Sequence, residues 1–242
     1  TFTGNPTDLY RCLRPLNPAP FSAFLDFPEA VTIGSSPERF LRVDSNGRVE
    51  SRPIKGTRPR SLDPLEDRRL REELVTSEKD RAENLMIVDL VRNDLGRVCE
   101  FGSIHVPRPL SIETYPTVFQ LVSEVIGQLR PGQDAIDTIR AAFPPGSMTG
   151  APKVEAMRIL EELEPIDRGI YSGAIGYLDA AGGADLSVVI RTLIVRNGQL
   201  TAGSGGAIVA DSDPIAEYEE TIDKARALVA ATRWADDLRT LK

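Results

Sequence analysis

Lys55 is the residue at which covalent chemistry could begin. It lies between Ile54 and Gly56 in Ser-Arg-Pro-Ile-Lys-Gly-Thr-Arg-Pro-Arg, residues 51–60, a stretch stiffened by proline and glycine that also carries Arg52, Arg58 and Arg60. An amine is a nucleophile only when neutral, a form that desolvation and neighbouring cations favour. The arginines supply such cations. A solvated basic loop would account for the same four charges, and composition alone leans that way.

Carboxylates form a second group, in Lys79-Asp80-Arg81-Ala82-Glu83-Asn84. Asp80 and Glu83 are three apart and share a helix face, and the stripe continues into Ile87 and Leu90, so it points inward. Buried carboxylates want a cation or a metal, and oxygen ligands without thiolate or imidazole suit Mg²⁺. A structural ion pair fits the same spacing. A third acidic group lies in the helix that opens at Asp213-Pro214. Its apolar stripe is Ile215, Tyr218, Ile222, Ala225 and Val229, and Glu220 falls about 160° from it, on what reads as a solvated face.

Two glycine-bearing loops could receive an anion. Gly203-Ser204-Gly205-Gly206 is either a nest of backbone N–H groups or a tight turn. Gly146-Ser147-Met148-Thr149-Gly150-Ala151-Pro152-Lys153 leads into a helix N-terminus with Lys153 in its first turn. Neither has the spacing of a nucleotide-binding loop, and a carboxylate would serve as well as a phosphate.

These side chains must be positioned by 242 residues, enough for one large domain or two small ones whose cores need no disulfide. Charged residues at 27% and hydrophobic ones at 41% exclude collagen, coiled coil and wholesale disorder. A net charge of −7 argues against holding nucleic acid by bulk electrostatics, so an anionic ligand must be gripped locally. Nothing reads as a membrane span or a secretory leader, although a first residue of Thr1 hints at a chain cut from something longer. Cys12, Cys99 and the single His105 cannot make a four-ligand zinc site, and two isolated thiols suit a reducing cytoplasm. His105 has a strand-like, structural setting.

The first 29 residues read as an irregular, proline-rich lead-in ending in a short strand near residues 21–25. Hairpins follow over 31–35 and 39–43, with a turn at 44–47 and a third strand from Arg48. Asp63-Pro64 opens a helix to about residue 75, and Ser77 caps another to about residue 93. Further helices are expected over 134–143 and 151–164. Strands are expected over 115–129, 172–179, 186–195 and 199–209, the last two joined at Asn197-Gly198. Blocks of helices among hairpins give an α+β class with mainly antiparallel sheet and flanking helices.

Taken together, eight ordered blocks resemble the chorismate-utilising enzymes, the family of anthranilate, aminodeoxychorismate, isochorismate and salicylate synthases. They are Ser-Pro-Glu-Arg-Phe at 36–40, Pro-Ile-Lys-Gly-Thr-Arg-Pro at 53–59, Lys-Asp-Arg-Ala-Glu-Asn-Leu at 79–85, Thr-Gly-Ala-Pro-Lys at 149–153, Tyr-Ser-Gly at 171–173, Ile-Arg-Thr at 190–192, Gly-Ser-Gly-Gly at 203–206 and Glu-Tyr-Glu-Glu-Thr at 217–221. Lysine in Pro-Ile-Lys-Gly-Thr is similar to the aminodeoxychorismate synthases; anthranilate synthases typically carry alanine there. Where family members often have histidine, this chain has Gln120.

The resemblance implies an anthranilate synthase component I type of fold, a single chorismate-binding catalytic domain over 1–242, and a missing N-terminal half. It implies conversion of chorismate and ammonia to 4-amino-4-deoxychorismate, for p-aminobenzoate and folate, with the ammonia made by a glutamine amidotransferase subunit. Lys55 would be the nucleophile and Glu38 the general acid/base. Glu83 and Glu220 would hold Mg²⁺, with Asp80 and Asp223 nearby. Thr149, Tyr171, Arg191, Gly205, Gly206 and Lys224 would bind the substrate. Anthranilate synthase component I is the alternative enzyme, and a binding-only fragment without turnover the alternative of another class.

Overall fold

A computed structural model describes residues 2–210 and 212–240 of the chain, the side chains of 236–240 excepted. In chain order it opens with α1 (Pro6–Leu16), β1 (Phe21–Phe27), β2 (Ala30–Ser36), β3 (Arg39–Val43), β4 (Arg48–Arg52), β5 (Ile54–Pro59) and α2 (Pro64–Thr76). The middle holds α3 (Glu78–Gly96), β6 (His105–Thr114), β7 (Val118–Gln128), α4 (Ala135–Ala142), the short α5 (Gly146–Thr149) and α6 (Lys153–Leu163). It closes with β8 (Ala174–Leu178), β9 (Ala184–Val188), β10 (Thr192–Arg196), β11 (Gln199–Ala202) and α7 (Pro214–Thr240). The fold is α+β, with antiparallel sheets flanked by helices, as the sequence predicts.

The residues sort into two compact units, each with its own sheet. The smaller unit draws on 1–37, 168–173 and 188–242 and has strand order β1-β2-β10-β11. Asn197 and Gly198 both take positive φ, 51° and 71°, so β10 turns into β11 through the expected type I′ geometry. Leu9, Cys12 and Leu13 of α1 pack with Ile33, Leu193 and the α7 residues Leu228 and Ala231. Residues 1–29 are therefore not an irregular lead-in. Asn5 caps α1 by accepting from the Thr7 N–H at 2.8 Å, with Pro6 in the first turn. That is the signature seen at Asp63-Pro64, obscured here by Pro15, Pro18 and Pro20.

The expected strand over 186–195 is also corrected. It is two strands, β9 in one sheet and β10 in the other, because Arg191 adopts a left-handed φ of 48° and ends the extended run. The strand expected to reach residue 209 stops at Ala202, where the glycine loop begins.

The larger unit draws on 38–167 and 174–187, and β7 is its spine. Along one edge of β7, residues 118–122 pair with β5 and residues 125–128 with β4; β6 follows the other edge. From β4 the sheet continues through β3 and β9 to β8. Leu74 of α2 packs on Phe119 and Leu121. Fully buried Asn84 of α3 donates to the Leu121 carbonyl at 3.3 Å and the Pro53 carbonyl at 3.5 Å and accepts from the Ser123 hydroxyl at 2.5 Å. The acidic helix is thus tied to the residue that opens the Lys55 strand.

Candidate active site

Lys55 stands on a bulge. The pairing of β5 with β7 shifts register between Ile54 and Thr57, and Gly56 has φ +82°. A Cβ at Gly56 would come within 2.8 Å of both Asp80 Cγ and Leu74 Cδ1, so α2 and α3 close on the bulge only because it carries no side chain. Lys55 is half-buried, and its Nζ donates to the Ser147 carbonyl of α5 at 3.4 Å. The surrounding arginines are each partnered. Arg52 pairs with Glu113, Arg58 with Glu73 at 2.7 Å and Asp80 at 3.2 Å, and Arg60 forks onto Asp67 at 2.8 and 2.9 Å. The stretch is neither a solvated basic loop nor an unbalanced positive field.

On α3 the inward stripe is as expected. Glu83, Ile87 and Leu90 are buried, and Asp94 extends the same face one turn further. Lys79 approaches Glu83 at 3.9 Å, while Asp80 turns to Arg58. Glu38 is buried just ahead of β3, beside Arg39, which bridges Glu50 at 2.8 Å and Asp185 at 3.1 Å. Thr149 directs its hydroxyl at carbonyls of its own turn, Pro145 and Gly146, both at 3.4 Å.

The smaller unit gathers a second cluster on its glycine loop. Tyr171 lies so close to Gly203 that a Cβ there would stand 2.2 Å from Tyr171 Cγ, and one at Gly205 would stand 3.2 Å from the phenol oxygen. From α7, Lys224 Nζ donates to the Gly205 carbonyl at 3.0 Å, and the Thr221 carbonyl accepts from the Ser204 hydroxyl at 2.7 Å. Arg191 donates to Asn17 Oδ1 at 3.5 Å, and its carbonyl accepts from the Ser35 N–H at 3.1 Å. Ser172, beside Tyr171, is left-handed like Arg191, with φ 69°. Two non-glycine residues held in that region mark over-determined backbone of the kind found at ligand sites.

The face of α7 that meets this loop is not the one periodicity selects. Ile215, Tyr218, Ile222 and Val229 are exposed, at 70, 65, 50 and 46%. Residues 217, 221, 224, 228 and 231 turn inward instead, polar where the helix meets the glycines and apolar where it meets α1. Glu220 is exposed and pairs with Lys224 at 2.7 Å; Asp223 is exposed and pairs with Arg226. Glu217 is buried, accepts from the Ser212 hydroxyl at 2.6 Å, and lies 3.0 Å from where a Gly206 Cβ would sit. Nothing in Glu-Tyr-Glu-Glu separates Glu217 from its neighbours; only the glycine loop selects it.

Among the described residues of each unit, no three Asp, Glu, His or Cys side chains gather into a metal-holding group. Mg²⁺ is ordinarily held by one or two carboxylates, with water and substrate completing six oxygens, so single acids such as buried Glu83 fit it and would not fit a metal that demands an all-protein cage. Glu83 belongs to the larger unit and Glu220 to the smaller.

A family model described as chorismate binding enzyme matches residues 1–230. The chain belongs to that family. Among similar chorismate-family proteins, an aminodeoxychorismate synthase of Streptomyces pristinaespiralis is 54% identical over 96% of the chain and 32% of its own length. The anthranilate synthase component 1 of Aquifex aeolicus is 50% identical over 98% of the chain and 48% of its own length. Anthranilate synthase component I from Streptococcus pneumoniae superposes with a TM-score of 0.84 at 43% identity, over 93% of this chain and 50% of that one. The chain thus spans between about a third and a half of these chorismate-family relatives. Among the described residues, no helix is long and apolar enough to cross a membrane.

Proposed function

We propose that this chain is the catalytic portion of an aminodeoxychorismate synthase and that Lys55 is its nucleophile. The supporting observation is the setting of Lys55: a half-buried amine on a glycine-opened bulge, in the unit that also carries the buried acids Glu38 and Glu83. Neutral Lys55 bonds through Nζ to C2 of the ring of chorismate. The ring double bonds shift and the C4–O bond breaks, and a proton from Glu38 lets the hydroxyl leave as water. Ammonia then bonds to C4, Lys55 departs as the neutral amine, and Glu38 recovers a proton from the new ammonium. The sum is chorismate plus ammonia giving 4-amino-4-deoxychorismate plus water, with one hard displacement divided into two.

Arg191 offers a planar fork to a substrate carboxylate, with Tyr171, Thr149, Lys224 and the N–H groups of Gly205 and Gly206 as further contacts. Glu83 and Glu220, with Asp80 and Asp223 nearby, would hold Mg²⁺, which when bound supplies positive charge to the ring carboxylate. Ammonia comes from a glutamine amidotransferase, and a further N-terminal region completes the whole cytoplasmic protein.

Incubation of the whole protein, with its N-terminal region, with chorismate, Mg²⁺ and ammonia is expected to give aminodeoxychorismate, and Lys55→Ala to slow it by about a hundredfold or more. An unchanged rate in that variant removes the nucleophile. The matches to anthranilate synthases across nearly the whole chain favour a second reading, which release of anthranilate with pyruvate would establish. Calorimetric binding of chorismate without turnover would favour a binding-only role.

A further inference from the structure

Lys153 closes the glycine-bearing stretch 146–153, and its ammonium is enclosed. Nζ donates to Asp94 Oδ2 at 2.6 Å, to the Ala142 carbonyl at 2.7 Å and to the Pro144 carbonyl at 2.9 Å, one acceptor for each of its three protons. Both side chains of the ion pair are shielded, at 13 and 8% exposure. Burial pushes the Asp94 carboxyl up, and the Lys153 ammonium opposes that shift.

Asp94 lies eleven residues beyond Glu83, three turns of α3, so the two share a face with Ile87 and Leu90 between them. Onto that face comes α5. A Cβ at Gly146 would stand 2.8 Å from Leu90 Cδ2, so the turn sits directly on the helix. The next residue, Ser147, presents the carbonyl that Lys55 Nζ meets at 3.4 Å. The carbonyls Lys153 draws in, at 142 and 144, belong to the segment leading into that turn. A continuous set of contacts therefore runs from Asp94 through Lys153 to the turn, and from the turn to the amine of Lys55.

We propose that Asp94 and Lys153 are positioning residues: their buried ion pair seats the α5 turn on α3 and thereby sets where the Lys55 amine is held. Its importance for turnover rests on the reading of Lys55 as nucleophile; the positional claim does not.

The test is acylation of the folded full chain with a brief pulse of acetic anhydride, read lysine by lysine by peptide mass spectrometry. Lys79 and Lys224, which lie outside this set of contacts, serve as internal standards. In Asp94→Asn, which preserves shape while removing the charge, and in Lys153→Met, Lys55 should acylate about fivefold faster relative to both standards, the change expected for loss of one hydrogen bond. Lys153→Arg should restore most of the parent ratio. A Lys55 ratio within about 1.5-fold of the parent in folded Asp94→Asn overturns the proposal, because an intact hydrogen bond leaves no such change to see. If both charge-removing variants lose the far-ultraviolet helix signal, the pair is a general core element and the proposal again fails. Failure of the nucleophile reading shows separately, as unchanged turnover in Lys55→Ala with the acylation result standing.

Discussion

Gly203 shows how a missing side chain lets an aromatic ring lie against a loop. A Cβ at Gly203 would overlap the Tyr171 ring at 2.2 Å, so the two cannot occupy that space together. Gly203→Ala is therefore expected to push Tyr171 off the loop, lower stability by about 1–3 kcal/mol and weaken chorismate binding about tenfold or more. Thermal unfolding and calorimetry would check it; a variant that melts and binds like the parent sinks the packing claim. The motif Gly-Ser-Gly-Gly was visible as a possible nest, but a string of glycines does not name the aromatic that will lie on it. At Lys55 the sequence displays four cations, and only the fold reveals that Arg52, Arg58 and Arg60 are each partnered by an acid.

Among the elements, α3 is the one whose role its own pattern declares. Asp80, Glu83, Ile87 and Leu90 repeat at three and four, and the helix buries the stripe from Glu83 onward. What the pattern omits is the fastening. Asn84→Ala leaves the Leu121 carbonyl and the Ser123 hydroxyl short of a partner in a buried site and should cost about 1–3 kcal/mol for each orphaned group, read as a lowered urea midpoint.

The neighbouring α2 depends on charge instead. Arg60 holds the Asp67 carboxyl below the usual carboxylate value, and Arg69 and Arg58 do the same for Glu66 and Glu73. Depressed values mean stability that is present above the ordinary values of 3.8 and 4.5 and lost as pH falls through the lowered ones. An acid titration by circular dichroism should show helix loss setting in below about pH 4, with less at stake in high salt because these pairs face solvent. A helix signal that stays flat far below that pH would contradict it. By contrast, α7 misleads. Its stripe Ile215, Tyr218, Ile222 and Val229 repeats at helical spacing, yet another face is drawn in: Lys224 and Thr221 bond to Gly205 and Ser204 at the glycine loop, and Leu228 and Ala231 pack where the helix meets α1.

For the molecule as a whole, the two thiols report on the two units. Cys12 is packed in the core of the smaller unit and Cys99 is buried in the larger. Burial raises the Cys12 thiol and pushes that of Cys99 up to about 11. Alkylation needs the thiolate, so neither should react with iodoacetamide near about pH 8 while its unit is folded. Peptide mass spectrometry along a urea series would then record the opening of each unit separately. Rapid labelling of either cysteine without denaturant would contradict the packed cores.

Taken alone, the amino-acid order determined what local chemistry can specify. Caps such as Asp63-Pro64, the positive-φ turn at Asn197-Gly198, the hairpin turn at 44–47 and the buried face of α3 all depend on residues within a few positions of one another. The eight ordered blocks likewise announced the chorismate family. Partnership across long separations was decided only by the tertiary structure. It split residues 186–195 between two sheets at Arg191, chose Glu217 over Glu220 for the inward face of α7, and brought Lys153 to Asp94, 59 residues earlier. Which face a helix buries, and which acid meets a lysine, depend on what chain closure delivers opposite it, and spacing within one segment does not encode that.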